Sequence, residues 1–414
     1  MRKSLLLMAV LGTFAAPAAV WADDAAPAAD AAAPAADAAA PAAAPAAPAA
    51  PVLNGPGMNF PLTGSASPLS FDAGPVGKVY VSGVVSAIGL LQDSPVKPVY
   101  GQSHNVYGDF SNAQIILQKI DGLVQFYVEG GGYSIPTIGV PYTKASKQTD
   151  NSFGVIPTAY IKIAPTDSFN VMAGKLPTLQ GAEYTFTFEN TNIERGLLWN
   201  QENVFTRGVQ ANYTAGPLAV SASVTDGFYS KDYKWLTGLV SYTINDSNAI
   251  TLVASGNVDK TTTSGYNTPL AQNNGQVYNL IYKYTNGPLT LQPYLQYTYV
   301  PSEASLGITK STSTYGAALL ANYMVNSTVN IGARAEYIGS DGSSTDGSQN
   351  LLGYGAGSDA WSFTITPTYQ DKAFFARAEL SYVKANSITS GLGFGSSGND
   401  SSQSRLVVET GFMF

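Results

Sequence analysis

Phe374-Phe375-Ala376-Arg377-Ala378-Glu379-Leu380-Ser381-Tyr382 is the stretch that decides the fold. Phe374, Ala376, Ala378, Leu380 and Tyr382 alternate with Arg377, Glu379 and Ser381, the period of a strand with two unlike faces. Arginine facing lipid near mid-depth costs about 2–4 kcal/mol. If the apolar set meets lipid, the charged set must therefore face an interior. Leu289 to Tyr299 repeats the pattern: its odd positions are mostly apolar or aromatic, and its even ones are Thr290, Gln292, Tyr294, Gln296 and Thr298. Val329, Ile331, Ala333, Ala335 and Tyr337 interleave with Asn330, Arg334 and Glu336, as Val124, Phe126 and Val128 do with Gln125 and Glu129.

Working outward, sixteen alternating segments are expected, starting near Lys78, Ser111, Leu123, Ser152, Phe169, Val204, Leu218, Trp235, Asn248, Gln276, Leu289, Ser313, Ser327, Ala360, Ala373 and Ser404. Every second connection is tight and carries turn residues: Ile120-Asp121-Gly122, Pro165-Thr166-Asp167, Ala215-Gly216-Pro217, Asn245-Asp246-Ser247, Asn286-Gly287-Pro288, Val325-Asn326 and Gln370-Asp371-Lys372. The others are long and polar, including 94–110, 176–203, 259–275, 339–359 and 385–403. Strict alternation of short and long connections with an even strand number predicts an all-β fold. It is a transmembrane, antiparallel, up-and-down β-barrel with short turns on the periplasmic side. A soluble β-sandwich also alternates, but it rarely needs sixteen strands of this length. The closing run Leu406, Val408, Thr410, Phe412, Phe414 resembles the C-terminal signal by which outer-membrane barrels are recognised for insertion.

Composition agrees. Of 414 residues only 12% are charged, against the usual quarter, while 25 Tyr, 17 Phe and 41 Gly favour strands and turns. No stretch beyond the extreme N-terminus approaches the length of a spanning helix. Cys is absent, so disulfides, thiolate metal sites and cysteine nucleophiles are excluded. No EF-hand or HExxH spacing occurs, and Gly391-Leu392-Gly393-Phe394-Gly395 is not followed by a helix that would cradle phosphate. No metal, cofactor or catalytic set is expected. His104, in the first long loop, is the only imidazole.

Arg2 and Lys3 precede the apolar run Leu5 to Leu11, and Val20-Trp21-Ala22 offers small residues for cleavage, so residues 1–22 are expected to be a signal peptide for export. Residues 23–76 follow as a disordered periplasmic tether, nearly pure Ala and Pro to Pro51 and rich in Pro, Gly and Ser beyond it. Such a spacer can touch peptidoglycan; an inert tail is the alternative. The barrel then spans 77–414. Residues 1–51 hold two of the 21 basic and four of the 28 acidic residues, leaving 19 basic against 24 acidic. No basic cluster with interleaved aromatics appears, so nucleic acid is not an expected partner.

A barrel of sixteen strands is too wide for side chains to fill, so a water-filled pore is expected. The third long connection, LPTLQGAEYTFTFENTNIERGLLWNQEN over 176–203, carries Phe186, Phe188, Leu197, Leu198 and Trp199, more large apolar residues than a solvated loop needs. It is expected to fold into the lumen. Its charges, Glu183, Glu189, Glu194, Arg195 and Glu202, are candidate constriction residues, facing the inward bases Lys162, Lys175, Arg207, Arg334, Arg377 and Arg405. Arg334 with Glu336 and Arg377 with Glu379 lie two apart on one face, close enough to pair locally.

Three runs carry a family resemblance: Ala173-Gly174-Lys175, Ile193-Glu194-Arg195-Gly196-Leu197-Leu198-Trp199-Asn200 and Phe205-Thr206-Arg207-Gly208-Val209-Gln210-Ala211-Asn212-Tyr213. Over these forty or so residues the chain resembles the OmpL-like β-barrel porins, departing from their pattern at Glu194-Arg195 and Thr206-Arg207-Gly208. The loop between the fifth and sixth strands is similar in position to the one that narrows the pore of general porins. The resemblance implies an outer-membrane channel for passive diffusion of small hydrophilic solutes, and, as in other sixteen-stranded porins, a homotrimer set in outer-membrane lipid. The acidic excess implies a weak preference for cations. The competing readings are a surface-binding or structural barrel without an open pore, and an outer-membrane hydrolase.

Overall fold

The computed structural model describes residues 62–65, 67–96, 104–263, 265 and 268–414. The expected signal peptide and the tether up to residue 61 lie outside them. A short strand, β1 (Leu69–Asp72), precedes sixteen longer ones: β2 (Lys78–Gln92), β3 (Val106–Lys119), β4 (Val124–Tyr133), β5 (Thr158–Thr166), β6 (Phe169–Pro177), β7 (Phe205–Ala215), β8 (Leu218–Thr225) and β9 (Trp235–Asn245) come first. They continue with β10 (Asn248–Asn257), β11 (Gln276–Asn286), β12 (Leu289–Val300), β13 (Thr312–Met324), β14 (Val329–Ser340), β15 (Asp359–Asp371), β16 (Phe374–Asn386) and β17 (Ser402–Met413). Two short helices, α1 (Ala145–Asn151) and α2 (Leu270–Asn273), sit in long connections.

Each strand from β2 onward pairs antiparallel with the next, and β17 pairs with β2 from Arg405↔Gln92 to Met413↔Val84. The ring is closed, so β2–β17 form the expected sixteen-stranded barrel. The alternation sorts the two faces as its physics requires. Ile161, Phe363 and Leu380 on the outer face are 56%, 56% and 58% exposed, whereas Arg377 and Glu379 point inward and are buried. A continuous outer band of this kind is a lipid surface, not the wetted face of a sandwich.

Two strand starts differ from the sequence expectation. The second begins at Val106 instead of Ser111, because a β-bulge at Ser86/Ala87 shifts the pairing and lets Tyr107 and Asp109 continue opposite Leu90 and Ile88. The fourth begins at Thr158 instead of Ser152, because helix α1 and a turn occupy the preceding residues.

The stretch 62–76, expected to close the tether, is instead structured where described. Ser70 and Asp72 pair with Tyr80 and Lys78, so β1 hydrogen-bonds the edge of β2 below the point where β17 ends. An open edge there would be a template for unwanted pairing. Ahead of β1, Thr63 donates its N–H to Gln370 Oε1 and accepts from Gln370 Nε2, both at 2.8 Å. Leu62 is buried in a cluster with Val84, Phe186 and Phe375. Leu62→Asp should therefore lower the urea midpoint of the refolded barrel, the lost burial being about 1.5–3 kcal/mol. An unchanged midpoint would show that this segment only rests in the mouth.

Phe414 closes the other terminus. Its N–H bonds Gly83 O at 3.0 Å, Gly83 returns the bond at 2.9 Å, and a Cβ on Gly83 would lie 2.7 Å from the Phe414 ring. Gly83 is thus covered by the chain's own terminus.

Candidate functional site

Residues 178–204 leave β6, enter the lumen and return to β7, as the apolar content of this loop requires. Leu197 and Leu198 pack with Ile138, Tyr294, Leu320 and Ile338. Phe186 and Phe188 join Tyr133, Phe205 and Phe375, and Ile193 joins Ile88, Leu90 and Val407. Apart from Ile138, in the connection after β4, and Phe205, at the start of β7, these partners are inward residues of β2, β4, β12–β14, β16 and β17, so the loop lies chiefly against that arc of the wall.

Polar groups of that arc grip its backbone. On β14, Arg334 donates to Glu183 Oε1 at 2.5 Å, to the Glu194 carbonyl at 2.8 Å and to Glu336 at 3.1 Å. Glu336 accepts the N–H groups of Leu197 and Leu198 at 3.1 and 3.4 Å and the Ser362 hydroxyl at 2.7 Å. On β16, Glu379 accepts from the N–H groups of Ile193 and Glu194 at 2.5 and 3.0 Å. Arg377 donates to the carbonyls of Thr187, Asn190 and Thr191, each at 2.8 Å. On β17, Arg405 bonds Glu194 and the Thr137 carbonyl, both at 2.7 Å. Arginines take carbonyls and glutamates take N–H groups, so the wall answers backbone groups of the loop that burial has removed from water.

The expected local pairing is half right. Arg334 meets Glu336, but Arg377 turns across the sheet to Glu409 at 3.4 Å, which follows from the register Arg377↔Glu409. That choice leaves Glu379 free to accept the loop's N–H groups. Glu336, Glu379 and Glu409 were not among the candidate residues, and the Arg-x-Glu spacing on β14 and β16 was the signal for the first two. The segment 134–140 was also missed: Arg195 donates its N–H to the Pro136 carbonyl and Ile138 donates to the Arg195 carbonyl, making a small parallel bridge inside the lumen.

The candidate loop charges do not all line a passage. Glu183 and Glu194 are anchors paired to Arg334 and Arg405 at 2.5 and 2.7 Å. Arg195 bonds the carbonyls of Thr185, Asn192 and Ile193 within its own loop, and burial lowers it to about 10. Glu202 accepts from the Tyr294 hydroxyl, and burial holds it well above the usual carboxylate range. Burial also outweighs the pull of Arg334 on Glu183, which stays raised. Glu189 is raised well above its ordinary value by burial and then by Glu129.

Among the bases, Lys162 faces the lumen opposite Gln125 and has no ion-pair partner among the described residues. Lys175 and Arg207 are corrections. Their register places them in the row of Ala173↔Val209, the outer row, and they turn to the rim. Arg207 bonds Asp226 at 2.5 Å and stacks 4.0 Å from the Tyr229 ring, while Lys175 donates to the carbonyls of Phe153 and Ile156. Neither faces an acid of the loop.

On the opposite arc, β5–β10, the loop reaches only the half away from the tight turns, where Thr225 and Ser255 are buried and Gln180 of the loop donates to Ser255 at 2.5 Å; the half next to the tight turns is open. Its inward residues Lys162, Asn170, Asn212, Ser221, Ser241 and Thr251 remain half-exposed. Several bond one another, Asn212 to Asn170 and Ser221 to Asn212 at 2.8 Å and Thr251 to Ser241 at 2.9 Å. The lumen therefore has one side filled by the loop and one lined by hydroxyl, amide and ammonium groups. His104 is exposed in its loop, 5.7 Å from the Tyr107 ring.

Comparison with known proteins agrees with this geometry. A family model described as beta-barrel porin-2, OmpL-like, matches residues 78–414. No curated protein matches the sequence. Among solved structures, OmpT of Vibrio cholerae, folded in vitro, superposes with a TM-score of 0.54 at 14% identity, covering 82% of this chain and 98% of that one. That protein is also known in a trimer form. An anion-selective porin from Comamonas acidovorans gives 0.54 at 12% identity over 81% and 99% of the chains. The outer membrane channel DcaP of Acinetobacter baumannii gives 0.53 at 10% over 81% and 97%. At these identities the likeness is one of fold.

Proposed function

The chain belongs to the beta-barrel porin-2, OmpL-like family of outer-membrane barrels, and from that premise we propose that it is a porin through which small hydrophilic solutes diffuse passively, with a weak preference for cations. The observation that supports this most is the lopsided lumen: residues 178–204 are packed on one arc, and the half-exposed row from Lys162 to Thr251 is left along the other. Hydrogen-bonding groups on that row can replace the water shed by a passing solute. The cation preference rests on the acidic excess of the barrel.

In this reading residues 1–22 direct export, residues 23–61 form a periplasmic spacer within reach of peptidoglycan, and the barrel assembles as a homotrimer in the outer membrane. The protein is a conduit and not a catalyst; ester or peptide hydrolysis lost on His104→Ala would overturn that.

Single-channel recording of the refolded protein in planar bilayers tests the reading. Ohmic steps are expected, and in asymmetric KCl a reversal potential of the sign that marks modest cation selectivity. Silence from protein with intact heat-modifiable gel mobility would mean a closed or structural barrel.

A further inference from the structure

A cavity of about 40 Å³ lies where β4, β5 and the two ends of the inserted loop meet, and Glu129 and Glu189 both line it. On this measure a single water needs about 10–15 Å³, so the space suits a small head group. Glu189 is 1% exposed; its Oε2 accepts the Phe186 N–H at 3.0 Å while its Oε1 has no partner. Glu129 is 1% exposed as well; it accepts from Gln114 and the Tyr127 hydroxyl, both at 3.3 Å, and from Thr158. Two buried carboxyl groups on one cavity without a cation between them oppose each other's ionisation, and the pair gains its full charge only when a cation arrives to compensate it. The cation whose charge acts on Glu189 is Arg195, whose guanidinium is already bonded to three carbonyls.

The remaining walls are aromatic and hydroxylic. Tyr127 and Tyr160 stack with centroids 5.4 Å apart, and Tyr184 and Thr158 complete the lining. Ring faces attract an organic cation, and an ammonium group carries three donors for oxygen acceptors. A metal ion is a poorer fit, since no group of three or more His, Cys, Asp or Glu residues is assembled among the described residues.

We propose that the cavity is a binding subsite for the protonated amine of a small organic solute, with Glu129 and Glu189 accepting its N–H groups and Tyr127 and Tyr160 flanking it. For its route of access this rests on the lumen being a channel. The subsite makes the porin selective by holding one class of solute at the point where the inserted loop leaves the wall.

Isothermal titration of the full-length, refolded protein in detergent with n-butylammonium chloride is the test, with n-butanol as the neutral control. Saturable binding of the amine and none of the alcohol is expected. Glu189→Gln and Glu129→Gln should each weaken it at least tenfold, and Tyr160→Leu, which keeps both acids, several-fold. Variants are compared only when their heat-modifiable mobility matches the parent. No saturable binding, or affinities within twofold across all three variants, overturns the subsite. Recording the same protein in bilayers separates the two claims. Binding without current overturns the channel and supports the subsite; current without binding overturns the subsite and supports the channel.

Discussion

Arg334→Met is expected to release the inserted loop. The substitution keeps an unbranched stem reaching about as far as the arginine's Nε and removes the cation that Glu183 and Glu336 share at 2.5 and 3.1 Å, with all three side chains nearly inaccessible to solvent. Removing one partner from a buried pair costs about 3–5 kcal/mol, because the other charge stays behind without compensation. The cheapest relief is for Glu183 to leave with its loop, opening the arc that residues 178–204 cover. A lower urea midpoint together with a several-fold larger single-channel conductance is the expected pair of results. Adding Glu183→Gln to Arg334→Met should recover part of the stability, since neighbouring sites are not additive. Parental midpoint and conductance in the single variant would mean that apolar packing alone seats the loop.

Gly196→Ala should give the second large effect by a different route. A Cβ at Gly196 would stand 2.2 Å from Glu336 Oε1 and 2.7 Å from Glu183 Oε2. Neither oxygen is a loose end: Glu336 is bonded to Leu197, Leu198, Ser362 and Arg334, and Glu183 to Arg334 and the Gly196 N–H at 2.9 Å. The loop must retreat by more than an ångström, losing the bonds of the next two N–H groups. Overpacking of this kind costs about 1–3 kcal/mol. Conductance should rise and the open-channel current become noisier. Gly238→Ala, where a Cβ meets nothing within 4 Å, is the matched control and should leave both unchanged.

Much of this architecture was legible in the sequence, for a physical reason. Period-two alternation and turn residues are local, so the boundaries at Phe169, Leu218, Trp235, Asn248, Gln276 and Leu289 coincide with strand starts. The bulge that begins the second strand at Val106 depends on a partner strand and could not be read from its own residues. Insertion of residues 176–203 was readable because Phe186, Phe188, Leu197 and Leu198 had to be buried somewhere. The roles of their charged neighbours were not, since pairing across a barrel is set by register. Glu194 meets Arg405 and Arg377 meets Glu409 only once β16 and β17 are aligned. The same limit explains Lys175 and Arg207: the alternation near Gly174 and Gly208 gave no face, and the register puts them outside. Glu336 and Glu379 look like partners of the nearest arginine until a loop arrives to claim their oxygens.

The short strand β1 has a consequence for how the cylinder is sealed. Joining β2 to β17 brings together residues more than 300 positions apart, so this seam carries the largest chain-closure cost of the sixteen. With Asp72 through Leu69 already seated against Lys78 through Val81, Phe414 cannot travel past Gly83 toward the tight-turn end without evicting them. β1 acts as a doorstop. It occupies the stretch of β2 onto which the last staves would otherwise slide, and so favours the one stagger at which this seam closes.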